Sequence, residues 1–279
     1  MAMGAGQLRG VVERLITAGQ WQAGGPHIVI VSDAGYDVNR LAWVLRDLPV
    51  EMVGRVRSDR VMRLPKPRVL EDRFRPRRCG PLPAGISPPG DITDTADLDR
   101  LYDAVRERGR GLDVLFANAA TASFATLEQI TGEDFDRIFE VNVKGTLLTV
   151  QKALPLLNDG ASVILNASTA ADHGTPAFGA YAASKAAVRS FARTWANELN
   201  SRGVRVNAVS PGPIDTSGIT ELVGEENSAA FKANLGAKVA IGRIGRPEEV
   251  AAAVAFLASA DSSYMMGANL YVDGGEHQI

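Results

Sequence analysis

Ser168, Tyr181 and Lys185 are the residues of this chain whose types and spacing suit proton chemistry. Four residues apart on a helix, a phenol and an ammonium share one face, one turn on. A free tyrosine titrates near ~10, too high to exchange protons at neutral pH. A neighbouring cation favours the phenolate and lowers that value. A hydroxyl at Ser168 could hold a substrate oxygen beside the phenol, and the three together suit proton transfer to or from an alcohol or carbonyl. A Tyr-x-x-x-Lys pair alone is as well explained by a solvated helix face, so the surrounding elements decide.

Those elements alternate. Val163-Ile164-Leu165 reads as a buried strand that delivers Ser168 at its end. Gly174, Pro176 and Gly179 mark a loop, and 181–200 a helix with Phe191, Trp195 and Leu199 on one stripe. Upstream, Thr93 or Thr95 is placed to cap a helix bearing Leu98, Leu101 and Val105, Val114–Ala117 forms a strand ending at Asn118, and 134–157 reads as one long helix. Downstream, Val204–Val209 is a strand stopped by Pro211-Gly212-Pro213, and 213–240 lacks periodicity and suits a flexible lid. Val250, Val254 and Leu257 mark a helix, and Asn269–Val272 a last strand before Gly274-Gly275. The alternation predicts an α/β fold whose parallel sheet is covered on both faces.

The N-terminal third is less uniform. Leu8, Val11, Val12, Leu15 and Ile16 recur at helical spacing until Gly24-Gly25-Pro26. Ile28–Val31 and Val50–Val56 are strand candidates flanking a helix marked by Leu41, Val44, Leu45 and Leu48. Between Arg60 and Gly90, Pro65, Pro67, Pro76, Pro81, Pro83, Pro88 and Pro89 interleave with Arg63, Lys66, Arg68, Arg73, Arg75, Arg77 and Arg78, which predicts irregular, basic chain. With 279 residues, 46% of them hydrophobic, and a net charge of -2, nothing global pulls the protein towards nucleic acid or anionic membrane. Arginines and lysines in 55–78 could neutralise phosphates, but no recognition helix or aromatic interleaving accompanies them, and a solvated loop is the preferred reading. Cys79 is the single cysteine, so no internal disulfide can form. No signal peptide or membrane span is evident, and a cytoplasmic protein is expected.

From Gly90 onward the chain resembles the short-chain dehydrogenase/reductase family in its single-domain form. Asp91-Ile92 is similar to that family's adenine-pocket turn, and Asn118-Ala119-Ala120 to its Asn-Asn-Ala-Gly motif, with two positions changed. Asn142, Ser168, Tyr181 and Lys185 match its catalytic tetrad, and Pro211-Gly212-Pro213-Ile214-Asp215-Thr216 its nicotinamide-side loop. Gly242 to Val250 and Val272-Asp273-Gly274-Gly275 match its C-terminal signatures. The resemblance implies a Rossmann-like doubly wound sheet, NAD or NADP as cofactor, no metal, and hydride transfer with a small alcohol or ketone. It implies that Tyr181 exchanges the proton, that Lys185 lowers its pKa and holds the nicotinamide ribose, that Ser168 polarises the carbonyl, and that Asn142 anchors a water. Asp91, Ile92, Asn118, Ala119, Ile214 and Thr216 would complete the cofactor site, and a homo-oligomer, tetramer or dimer, is implied through helices 134–157 and 181–200 and the last strand.

Residues before Gly90 depart from that family. Its opening Thr-Gly-x-x-x-Gly-x-Gly lets the backbone approach a pyrophosphate resting on a helix N-terminus. Here the turn reads Ser32-Asp33-Ala34-Gly35-Tyr36-Asp37-Val38-Asn39, with one glycine and two carboxylates where phosphates must sit. This stretch, with Leu48-Pro49-Val50-Glu51 and Arg55-Val56-Arg57-Ser58-Asp59-Arg60, instead resembles a fragment of a bacterial DDE-type transposase, in which Asp33 would be one metal-binding carboxylate. No companion carboxylates follow, so two-metal phosphoryl chemistry is not expected. The expected organisation is a fusion: an atypical segment 1–89, and a cofactor-binding and catalytic domain 90–279. The foreign strand–helix–strand would dock where the family's own first strands lie, leaving cofactor binding impaired. The alternatives are an inactive remnant or a weak nucleic-acid binder using 55–78.

Overall fold

The computed structural model describes residues 28–32, 50–54, 92–216, 219–220 and 223–279. Strands β1 (Ile28–Ser32) and β2 (Val50–Gly54) pair in parallel, Ile28 opposite Val50 and Ser32 opposite Gly54. Strands β3 (Leu112–Ala117), β4 (Leu157–Asn166), β5 (Arg205–Pro211) and β6 (Asn269–Val272) form a second parallel ladder in that order. β1 lies alongside β3. Read across, the strands therefore run β2-β1-β3-β4-β5-β6, and the order reverses between β1 and β3. Ligands of open parallel sheets bind beyond the carboxyl ends of the strands at such a reversal.

β4 shows why both faces must be covered. Val163 and Leu165 are wholly buried on one side, among Leu98, Leu115, Val188 and Ala192. Ile164 is wholly buried on the other, against Val209, Leu257, Val250 and Val254. Alternation along a strand carries neighbours to opposite faces, so an unbroken apolar run demands helices on both. The first face is closed by α1 (Thr95–Glu107), α3 (Gly145–Ala153) and α4 (Gly179–Leu199), the second by α6 (Pro247–Ala258). Phe191, Trp195 and Leu199 pack from α4 onto the first core, as their spacing predicts. Among the described residues no helix is long and apolar enough to cross a membrane.

Several elements differ from expectation. Asp94, rather than Thr93 or Thr95, caps α1, its carboxylate accepting the Ala96 amide at 2.8 Å. The single helix expected over 134–157 is divided: α2 (Gly132–Phe139) passes through a wide π-turn, Glu140–Lys144, into α3. In that turn the Gly145 amide reaches back five residues to the Glu140 carbonyl. A short 3-10 turn, Leu154–Leu156, then ends the helical run, and β4 begins at Leu157, earlier than expected. Within the expected lid lies α5 (Glu225–Lys238). Its buried positions are Ser228 and Gly236, which are small and give no apolar stripe to read. Asp91, residues 33–49 and the basic segment 55–78 lie outside the described residues.

Candidate active site

β4 ends at Asn166, and two residues later Ser168 stands in extended backbone, its hydroxyl accepting the Ala170 amide at 3.2 Å. Tyr181 and Lys185 occupy successive turns of α4. Ser168 is close enough to the Tyr181 phenol for its hydroxyl to favour the phenolate. Lys185 is only 1% exposed; its Nζ lies 5.7 Å from the Tyr181 ring centroid and donates to the Asn166 carbonyl at 2.7 Å. The Asn166 side-chain amide donates in turn to Asn118 Oδ1 at 2.8 Å, which joins the end of β3 to the end of β4. Ser168, Tyr181 and Lys185 thus come together where the strands finish.

The electrostatics differ from the sequence expectation. Burial pushes the Tyr181 phenol up, and the hydrogen bond with Ser168 opposes that rise. Burial also lowers Lys185, to about 7. An ammonium in a dry site is costly, so its charged form is disfavoured.

Asn142 lies at the widened turn between α2 and α3. It is wholly buried in the π-turn, and its side chain accepts the Thr121 amide at 2.7 Å and donates to the Thr121 carbonyl and to Ser184 Oγ, both at 2.9 Å. Ser184 Oγ donates to the Tyr181 carbonyl at 2.7 Å. Asn142 therefore clamps the loop after β3 to the first turn of α4. Its own carbonyl accepts the Thr146 hydroxyl at 2.7 Å. Thr121 and Ser184 were not foreseen; Ser184 lies one residue before Lys185, and its small hydroxyl carries no spacing signal.

Of the remaining expected residues, Ile92, Ala119, Ile214 and Thr216 are described, and Asp91 lies outside the described residues. Ile92 is half-buried over α3, where a Cβ on Gly145 would meet its Cδ1 at 2.6 Å. Ala119 follows Asn118 and is half-buried. Ile214 and Thr216 are buried in the loop after β5, and the Thr216 hydroxyl has no partner among the described residues. That loop is tied down by the segment before α6: the Asp215 amide donates to the Gly245 carbonyl and the Gly245 amide to the Pro213 carbonyl, each at 2.8 Å. Glu249 fixes this segment by accepting both Arg243 and the Arg246 amide, which hold its carboxyl down at about 2.

A family profile described as enoyl-(acyl carrier protein) reductase matches residues 80–277, and one described as DDE superfamily endonuclease matches residues 1–110. An oxidoreductase of Sarocladium schorii is 45% identical over 192 residues, covering 68% of this chain and 76% of that protein. The 3-oxoacyl-[acyl-carrier-protein] reductase of Thermotoga maritima is 36% identical over 186 residues, covering 66% and 74%. A solved short-chain dehydrogenase/reductase from Serratia marcescens is 25% identical and superposes with a TM-score of 0.71 over 99% of this chain and 94% of its own. The ordered motifs, the strand order and these likenesses agree: the chain belongs to the short-chain dehydrogenase/reductase family of oxidoreductases.

Proposed function

We propose that this protein moves a hydride between NAD(P)(H) and the alcohol or carbonyl of a small molecule, with a cofactor cradle completed by the N-terminal segment. The observation that carries the reading is the Ser168–Tyr181–Lys185 arrangement at the carboxyl end of β4. The described residues fit a nicotinamide cofactor on two counts. The Thr216 hydroxyl is buried with no partner among the described residues. Lys185 gives one proton to Asn166, and its other ammonium protons suit ribose hydroxyls. Asn118, Ala119, Ile214 and Thr216 would line the nicotinamide half, and Ile92 with Asp91 the adenine end. When bound, the cofactor supplies or takes the hydride.

The chain's own part is the proton. Ser168 holds the substrate oxygen against the Tyr181 hydroxyl, which gives its proton to the developing alkoxide on reduction and takes it back on oxidation. Lys185, charged, stabilises the phenolate left behind; an anionic cofactor beside it would favour that charged form. Asn142 keeps Tyr181 in register through Ser184. The weak point is the sequence that follows β1, in which Asp33 and Asp37 stand at the positions of phosphate-binding glycines.

Fluorescence titration with NADH and NADPH tests the cradle, and coenzyme-linked turnover tests the chemistry. Tyr181→Phe should lower turnover by three orders of magnitude or more, in line with loss of a general acid–base group, while coenzyme affinity changes less than about twofold. Turnover retained in that variant would overturn the assignment.

A further inference from the structure

Three phenylalanines from separate parts of the chain form a connected row that touches Tyr181 through Phe178 alone. Phe178, just ahead of α4, stacks on the Tyr181 ring at 4.4 Å between centroids and an angle of 26°. Phe124, in the loop after β3, leans on Phe178 at 4.9 Å and meets Phe231 of α5 edge-on at 6.1 Å. These are the offset and edge-to-face spacings that aromatic rings prefer. The wall is held by the backbone as well. The Ala125 amide donates to the Ala177 carbonyl at 2.9 Å, and Ala177 adopts a left-handed conformation, φ 61°, rare for a residue with a Cβ. Such strain gathers at functional sites; here it turns the chain to present Phe178 to both neighbours. On the far side, Lys232, next to Phe231, pairs with Asp215 at 2.7 Å and anchors α5 to the loop after β5. Despite two ring contacts, Phe124 remains 42% exposed.

We propose that this aromatic wall is the substrate's ring subsite, and that the substrates are aryl or fused-ring ketones and the matching secondary alcohols. The assignment rests on the oxidoreductase reading and adds a substrate class to it. A flat ring laid against Phe124 and Phe231 covers apolar area that is otherwise wet, with its carbonyl projecting past Phe178 to Tyr181 and Ser168. An open-chain polyol or keto sugar on the same wall would exchange water hydrogen bonds for phenyl faces, which is unfavourable.

The test uses the full chain with 1-tetralone as the aryl ketone, and fructose and acetone as the polar and small ones. Binding is read by saturation-transfer NMR and titration calorimetry, and turnover with NADH and NADPH in parallel. Tetralone should bind at least tenfold more tightly than fructose or acetone. Phe124→Ala and Phe231→Ala should each raise its Kd, and its KM, by roughly tenfold with kcat little changed, one aromatic contact's worth. Phe124→Leu, which retains bulk without the ring, should fall between. Equal binding of fructose, tetralone binding untouched by these variants, or no ketone binding at all would overturn the ring subsite. Ring binding as expected, with no coenzyme oxidised by any ketone, would instead overturn the oxidoreductase reading.

Discussion

Lys185 is the residue at which burial and chemistry conflict most openly. Its folded value of about 7 lies below the ordinary 10.5. Between these two values the unfolded chain holds a proton that the folded chain has released, so stability rises with pH across that window; below about pH 7 the full cost of the buried charge remains. Removing the charge removes the slope. In the cofactor-free protein, the stability difference between Lys185→Met and the parent should move in the parent's favour by about 1 kcal/mol per pH unit from pH 7 to pH 10, measured by urea unfolding. The lost hydrogen bond to Asn166 shifts the whole difference but not its slope. A flat difference would mean that Lys185 is not desolvated as the fold implies.

At the scale of elements, the π-turn decides whether Tyr181 is held. Asn142 can reach both Thr121 and Ser184 because the helix widens at Glu140–Lys144. π-turns are rare and concentrate at functional sites. Asn142→Ala strands the Thr121 amide, and should cost roughly 3 kcal/mol of stability while lowering kcat more than it raises KM. Thermal and chemical unfolding, with kinetics on the same samples, check both; a loss below 1 kcal/mol would contradict the clamp. This is also where the sequence was least legible. The strand and helix that carry Ser168, Tyr181 and Lys185 could be read because apolar runs and Gly-Pro punctuation are local signals, whereas the tetrad roles follow only from the resemblance to the family. The π-turn could not, since Asn142 is specified by Thr121, distant in sequence. Pro155 was a local sign that helix would stop before 157. α5 stayed hidden because it packs through Ser228 and Gly236 instead of an apolar stripe. Its Phe231 gains meaning only beside Phe124 and Phe178.

At the scale of the whole molecule, the question is how a dehydrogenase sheet accommodates a first strand within residues that also match an endonuclease profile. Parallel pairing is made by backbone, and β1 needs only extended chain of the right length to lie next to β3 and pair with β2. The requirement at its end is stricter. β1 stops at Ser32, and the next residue in sequence, Asp33, holds the position at which this family carries the first glycine of its phosphate-binding motif. We infer that the sheet accepts the foreign segment while the phosphates are repelled by it. At a few ångströms each carboxylate costs roughly a kcal/mol even when screened. Replacing both, Asp33→Gly with Asp37→Gly, should therefore tighten NADPH binding by about tenfold or more. The gain should be largest at low ionic strength, where screening is weakest. Titrations at two salt concentrations separate the outcomes. Tightening that shrinks with salt places the turn against the phosphates, whereas unchanged or weaker binding would mean that the N-terminal segment completes the sheet but takes no part in the cradle.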